Sequence, residues 1–288
     1  MGYPEGPSDP AGGPALSGPR LHLAISPCPN DTFLFGPLAL GWIALPFEPV
    51  FRFEDIENLN RLALAGTVPV IKVSFALLAE VFPRYRVFPV GAALGRGCGP
   101  ILVARGPLAR EEVPGVRVLL PGEHTTAHLL FRLAFPEARK KEFCLYSQII
   151  PRLLSGEAEA GVLIHEERFS FREKGLYPVL DLGEWWEKET GLPLPLGGIF
   201  VREDLPREWG QVLLAALRKA FFQARARFED LLPFIRRYAQ DLSREVIETH
   251  LRTYVNEYTL DLGEEGRRAI HELARRTGVS PGPELFWG

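Results

Sequence analysis

The sequence predicts an α/β protein built as two lobes. From residue 21 to about residue 200, short apolar runs alternate with longer helical patterns, and turn residues separate them. Such alternation favours largely parallel sheets, because each helix carries the chain back to start the next strand in the same direction. Two glycine-rich stretches, residues 91–100 (GAALGRGCGP) and 192–198 (LPLPLGG), interrupt the pattern where a chain would cross to a second lobe and return. The 288 residues suffice for two units of about 100–150 residues each.

The elements follow in order. Residues 1–20, rich in Gly and Pro, read as a flexible tail; they lack the basic start and apolar stretch of a secretory signal. Residues 21–26 (LHLAIS) form a strand and 27–31 (PCPND) a turn. A helix then starts at Thr32, with Asn30 or Asp31 as its N-cap. A helix over 58–65 stops at Gly66, which suits the left-handed position after a helix end. Residues 68–74 are strand-like and run into a helical stretch at 75–81. Beyond the first glycine-rich segment come strand 101–104, strand 116–120, a turn at 121–124 and a helix over 125–135. A helix at 148–154, a strand at 160–165 and a short charged helix at 166–169 complete this part. Strand 199–201 then leads to three amphipathic helices: 206–239, broken at Pro233, then 243–257 and 264–277. If the glycine-rich stretches are crossings, residues 21–103 and 200–288 make the first lobe and 104–199 the second. The alternative is that both are surface loops of one sheet.

Charge and cysteine content exclude several functions. Thirty-three Lys and Arg against 36 Asp and Glu leave a net charge of −3, with no basic surplus to neutralise nucleic-acid phosphates. No apolar run approaches the roughly 18–20 residues of a membrane span. Cys28, Cys98 and Cys144 are odd in number, far apart and never in a C-x-x-C pair. That argues against disulfides and thiolate metal sites and for a reducing, cytoplasmic setting. His165-Glu-Glu-Arg-Phe169 starts like H-E-x-x-H but lacks the second histidine. His124 and His128 are spaced i,i+4 without an evident third ligand, so no metal site is expected. Gly95-Arg-Gly-Cys-Gly99 precedes a strand, the wrong order for dinucleotide binding.

In open sheets, ligands bind at strand C-terminal ends, against the unpaired N–H groups of the following helices. The polar residues at those ends are Ser26 with Asn30 and Asp31, Lys72 with Ser74, Thr125 with Thr126, and His165. The first two groups fall in the first lobe and the others in the second. A cleft so lined suits a small carboxylated or polyhydroxylated ligand. His165 ends an apolar strand and can accept a proton near neutral pH, or can be merely structural. His22, His124, His250 and His271 are weaker candidates. Trp185-Trp186 reads as interlobe packing or, alternatively, a stacking platform.

Ser26-Pro-Cys-Pro-Asn-Asp-Thr32 after an N-terminal strand resembles the opening of the 1,4-dihydroxy-6-naphthoate synthase family of the futalosine route to menaquinone. The resemblance continues through Lys72-Val-Ser74, Gly95-Arg-Gly-Cys-Gly-Pro100, Pro121-Gly-Glu-His-Thr-Thr-Ala127 and Ile164-His-Glu-Glu-Arg-Phe169. It extends to Asp181-Leu-Gly-Glu-Trp-Trp186, Gly191-Leu-Pro-Leu-Pro-Leu-Gly197 and Thr253-Tyr-Val-Asn256, covering most of residues 21–265. It implies a two-lobed fold like the type II periplasmic binding proteins with a central interlobe cleft. It further implies cleavage of cyclic dehypoxanthinyl futalosine to release 1,4-dihydroxy-6-naphthoate, without metal or organic cofactor. His165 matches the family's proton acceptor. Lys72, Val73, Ser74, Thr126 and Ala127 match its substrate contacts. Glu167 departs from the family pattern, which often has a small residue there. The rival readings are chorismate dehydratase of the same pathway and a non-catalytic small-anion-binding protein.

Overall fold

A computed structural model describes residues 18–239, 243–279 and 282–288; the tail expected over residues 1–20 lies, up to residue 17, outside the described residues. In chain order, β1 (Arg20–Ile25) leads to α1 (Pro29–Ala39), β2 (Glu48–Phe53), α2 (Ile56–Ala65) and β3 (Val70–Ser74). After α3 (Leu78–Val81) come β4 (Tyr85–Val87), β5 (Ala93–Gly95), β6 (Ile101–Ala104), β7 (Val118–Leu120) and α4 (Thr126–Ala134). Then follow β8 (Lys141–Phe143), α5 (Tyr146–Leu154), β9 (Ala160–Leu163), α6 (Glu167–Ser170), β10 (Tyr177–Asp181) and α7 (Leu182–Thr190). β11 (Leu194–Arg202) precedes the terminal helices α8 (Arg207–Ala226), α9 (Phe228–Tyr238), α10 (Arg244–Tyr254), α11 (Glu257–Leu260) and α12 (Gly263–Arg276).

The strands form two sheets. One has six strands, ordered β2-β1-β3-β11-β4 with β5 also on β11; the other has five, ordered β10-β6-β9-β7-β8. The expectation of largely parallel sheets holds only in part: among the described residues four strand pairings are parallel and five antiparallel. β1 runs parallel to β2 and β3, and β7 to β8 and β9. β6, which enters the second lobe, and β11, which returns from it, are antiparallel to their partners. A strand that crosses between lobes arrives from the opposite side, so it must reverse direction.

Period-two alternation places each strand's side chains on two faces. Leu21, Leu23 and Ile25 point into a core with α1, α8 and α9, whereas Ala24, Ile71 and Val73 point into another. Leu102 and Ala104 of the second sheet share that latter core, while Ile101 and Val103 pack against α5. One hydrophobic core therefore runs continuously from lobe to lobe.

Several local details differ from the sequence reading. α1 starts at Pro29 with Cys28 as N-cap, so Asn30 and Asp31 lie inside its first turn. Proline suits that first position because its fixed φ is helical and its missing N–H would be unpaired anyway. The long terminal helix breaks at Arg227 (φ −121°, ψ 39°), not at Pro233, which falls inside α9. The second glycine-rich stretch is largely strand: Gly197 and Gly198 pair with Ser74 and Val73. A Cβ on Gly198 would press into the Phe75 ring, and one on Gly99 would overlap the backbone of Gly183 at the start of α7. Close approach explains these glycines without any need for flexibility. Trp186 is fully buried in the shared core and donates from Nε1 to the Pro193 carbonyl at 3.1 Å.

Candidate active site

The C-terminal ends of β1, β3 and β9 and the start of α4 converge on one cavity of about 670 Å³, including its open mouth. Ser26, Cys28, Asn30, Lys72 and Ser74 line it from the first lobe. Thr125, Thr126, Ala127, Ile164 and His165 line it from the second. Leu196 and Gly197 of β11, His250 and Tyr254 one turn apart on α10, and Ile56, Ala93, Cys98 and Pro100 complete the wall. Neither Trp185 nor Trp186 is among the lining residues.

A buried ion pair organises the first-lobe side. The Asp31 carboxylate, 1% exposed, accepts from Lys72 Nζ at 2.8 Å, Asn30 Nδ2 at 2.9 Å and Ser26 Oγ at 2.6 Å. Lys72 also donates to the Gly91 carbonyl at 3.1 Å. Two of the three ammonium protons are thus committed within the protein, and buried charge so compensated is tolerable. Ser74 Oγ accepts from Asn60 Nδ2 at 3.0 Å and keeps its own proton to donate.

On the second-lobe side, Thr125 caps α4 by accepting from the His128 N–H, so the Thr126 and Ala127 N–H groups begin the helix without intrahelical acceptors. Thr126 Oγ1 donates to the Leu196 carbonyl at 2.6 Å and accepts from Ala76 N–H at 3.3 Å. Its hydroxyl therefore ties the lobes together and leaves ligand contact to its backbone. Of the residues expected at the site, all but Asp31 and Val73 line the cavity; Asp31 is buried and bonded to the lining residues Ser26, Asn30 and Lys72. Val73 is fully buried, its side chain on the opposite face of β3 in the core.

His165 is the only non-glycine with positive φ, 55°, among the described residues. Backbone in that region costs a few kcal/mol at most, on the order of 1–3, and is retained where the surroundings enforce it. Cys28 Sγ, from the opposite lobe, lies 3.6 Å from His165 Nδ1 and 3.9 Å from Nε2. Burial alone would lower the imidazole's proton affinity. The Cys28 sulfur, with the Glu166 and Asp31 carboxylates, outweighs it and raises the pKa to about 9. The ring meets the Tyr146 edge at 5.1 Å and lies nearly parallel to His250 at 6.3 Å. Burial, followed by the charges of His165 and Lys72, pushes His250 well below the usual histidine range.

The segment after His165 is clamped in place. Arg168 donates to the Gly97 carbonyl at 2.6 Å and to Asp181 Oδ2 at 3.0 Å. Glu167 has its carboxyl raised to about 7 by burial. His124 pairs with Glu57 across the lobes at 2.7 Å, and His128 bonds the Glu123 carbonyl through Nδ1. Among the described residues, no three His, Cys, Asp or Glu side chains gather closely enough to hold a metal ion. Cys28, His250 and Tyr254 escaped the sequence reading as site residues. For Cys28 and Tyr254 a signal existed, since they lie in the Ser26-Pro-Cys-Pro-Asn-Asp-Thr32 and Thr253-Tyr-Val-Asn256 motifs.

A family model described as menaquinone biosynthesis matches residues 21–278. A Thermus thermophilus protein named 1,4-dihydroxy-6-naphthoate synthase is 48% identical over 255 residues, 88% of this chain and 92% of that protein. A Streptomyces coelicolor protein of the same name is 39% identical, covering 92% and 95%. A crystal structure of an Archaeoglobus fulgidus protein has a TM-score of 0.84 at 33% identity, covering 90% of this chain and 98% of that one. The periplasmic aliphatic sulphonate binding protein of Escherichia coli, at 12% identity, shares the fold with a TM-score of 0.63, covering 92% and 95%.

Proposed function

The chain belongs to the menaquinone biosynthesis family, and on that premise we propose that this enzyme forms 1,4-dihydroxy-6-naphthoate by a lyase reaction in which His165 accepts the substrate's proton. The substrate that fits this reading is cyclic dehypoxanthinyl futalosine, a small carboxylated molecule. The names of two relatives that cover most of the chain support it over chorismate dehydratase. One observation carries the role of His165: its imidazole, on a backbone held at positive φ in one lobe, stands in the interlobe cavity against polar groups of the other.

The chemistry needs a proton removed and the resulting negative charge stabilised while a carbon–carbon bond breaks. His165 takes the proton, and the Cys28 sulfur beside it holds the positive charge that results. The Thr126 and Ala127 N–H groups and the Ser74 hydroxyl stand where they can grip a carboxylate or stabilise developing charge. Lys72 keeps Asp31 neutralised beneath that floor. None of these steps calls on a metal or organic cofactor. The three free cysteines fit a reducing, cytoplasmic compartment.

His165→Ala tests the assignment. Turnover of purified cyclic dehypoxanthinyl futalosine, followed by mass spectrometry of the naphthoate, should fall by about 10²–10⁴-fold, the usual range for a lost acid–base group. Circular dichroism should remain that of the parent. Turnover within a few fold of the parent would sink the reading.

A further inference from the structure

His250 reads from sequence as one more polar residue on a C-terminal helix, yet it is 1% exposed and lines the cavity. Its bonding fixes its protonation. Asn30 Nδ2 donates to Asp31 Oδ1 at 2.9 Å, so the other amide atom, Oδ1, faces His250 Nε2 at 2.9 Å. An amide oxygen only accepts, so His250 must carry its proton on Nε2. Its Nδ1 is buried with no partner. The bond to Asn30 is therefore the only hydrogen bond of the ring among the described residues. Burial and the nearby cationic groups, His165 and Lys72, keep the ring neutral.

Asn30 sits one residue beyond Pro29 in the first turn of α1, the turn whose N-cap, Cys28, meets His165. From these contacts we propose that His250 is a positioning residue for catalysis: through Asn30 it locks the start of α1 so that the Cys28 thiol stays against His165. A buried donor accepts the cost of an unpaired Nδ1 to make this one bond. The parallel ring of His250, 6.3 Å from that of His165, also limits where the base can turn. This inference rests on the reading of His165 as the base.

The test compares His250→Phe, which keeps a ring and removes the donor, with His250→Gln, which keeps a donor, and with Asn30→Ala. For His250→Phe and Asn30→Ala, kcat should fall about tenfold to a hundredfold, the scale of a reacting group misplaced by about an ångström. The acid limb of the pH profile should move to lower pH, because a loosened Cys28 no longer raises His165. The double variant His250→Phe/Asn30→Ala should be no worse than the poorer single one to within about threefold, as for residues acting through one bond. His250→Gln should recover most of the loss. Parental kcat and pH profile in His250→Phe, independent multiplication of the two losses, or a Gln variant as poor as Phe would each overturn the inference. If His250→Phe fails to fold, an unmoved pH profile in Asn30→Ala overturns it. His165→Ala runs alongside. An active His165→Ala removes the base reading itself, whereas an inactive one with normal His250 and Asn30 variants removes only this inference.

Discussion

His165 carries a quantitative consequence in its proton affinity. A base works only when neutral, and His165 is raised to about 9 by Cys28 and the nearby carboxylates. The sign follows: below about 9 the imidazole is protonated, so kcat/KM should rise about tenfold per pH unit toward that value and then level off. Cys28→Ser removes the sulfur and leaves only the Glu166 and Asp31 carboxylates against burial, which acts downward, so the acid limb should shift to lower pH. A pH–rate profile of the two proteins checks this, and a limb that stays in place would clear Cys28 of the role. His165 was legible in the sequence because it ends an apolar run. Its partners were not, because Cys28 stands 137 positions away and the His250–Asn30 bond spans 220. Local patterns carry no record of contacts that long.

At the scale of elements, the sharpest constraint is where the chain crosses into the second lobe. Gly99 and Gly183 touch backbone to backbone, with no room for a Cβ on either. Gly99→Ala must push α7 away from the crossing, and overpacking of this kind costs about 1–3 kcal/mol. Urea unfolding should report that loss; a change within about 0.5 kcal/mol, the scale of an ordinary surface substitution, would show that the contact gives way freely. The glycine clusters were visible from composition, but the reason for them was not, since sequence does not distinguish a flexible glycine from a crowded one. The end of α2 was legible from its cap at Gly66, whereas the N-cap of α1 proved to be Cys28 and not Asn30 or Asp31. The break at Arg227 was not legible either. The chain left the helical region one turn and more before Pro233 and restarted, which a proline rule alone does not anticipate.

For the whole molecule, the lobes are held by a few polar ties over a continuous core. Asn60, fully buried, donates to Ser74 Oγ and to the His124 carbonyl across the lobes, and its Oδ1 accepts from Ser74 N–H. Asn60→Ala leaves those groups unpaired, a loss of about 1–3 kcal/mol in stability by the usual cost of buried orphans. It should also raise KM severalfold with a smaller change in kcat, because the grip on the ligand weakens before the chemistry does. Steady-state kinetics checks the split; an unchanged KM would mean that the tie has no part in binding. The α/β class and the bilobed plan followed from strand–helix alternation and the two glycine-rich stretches. The reversed direction of β6 and β11 did not, because direction depends on which sheet receives a strand.

β11 passes through both concerns at once. Leu196 and Gly197 face the cavity, and Ile199, Phe200 and Val201, a few residues along the same strand, are fully buried in the cores. A protein engineer who randomises this strand to change ligand preference also rewrites the packing that holds the first sheet. Libraries aimed at new substrates would keep more folded members if they varied Ile56 or Ala93 instead, two wall positions carried by other elements.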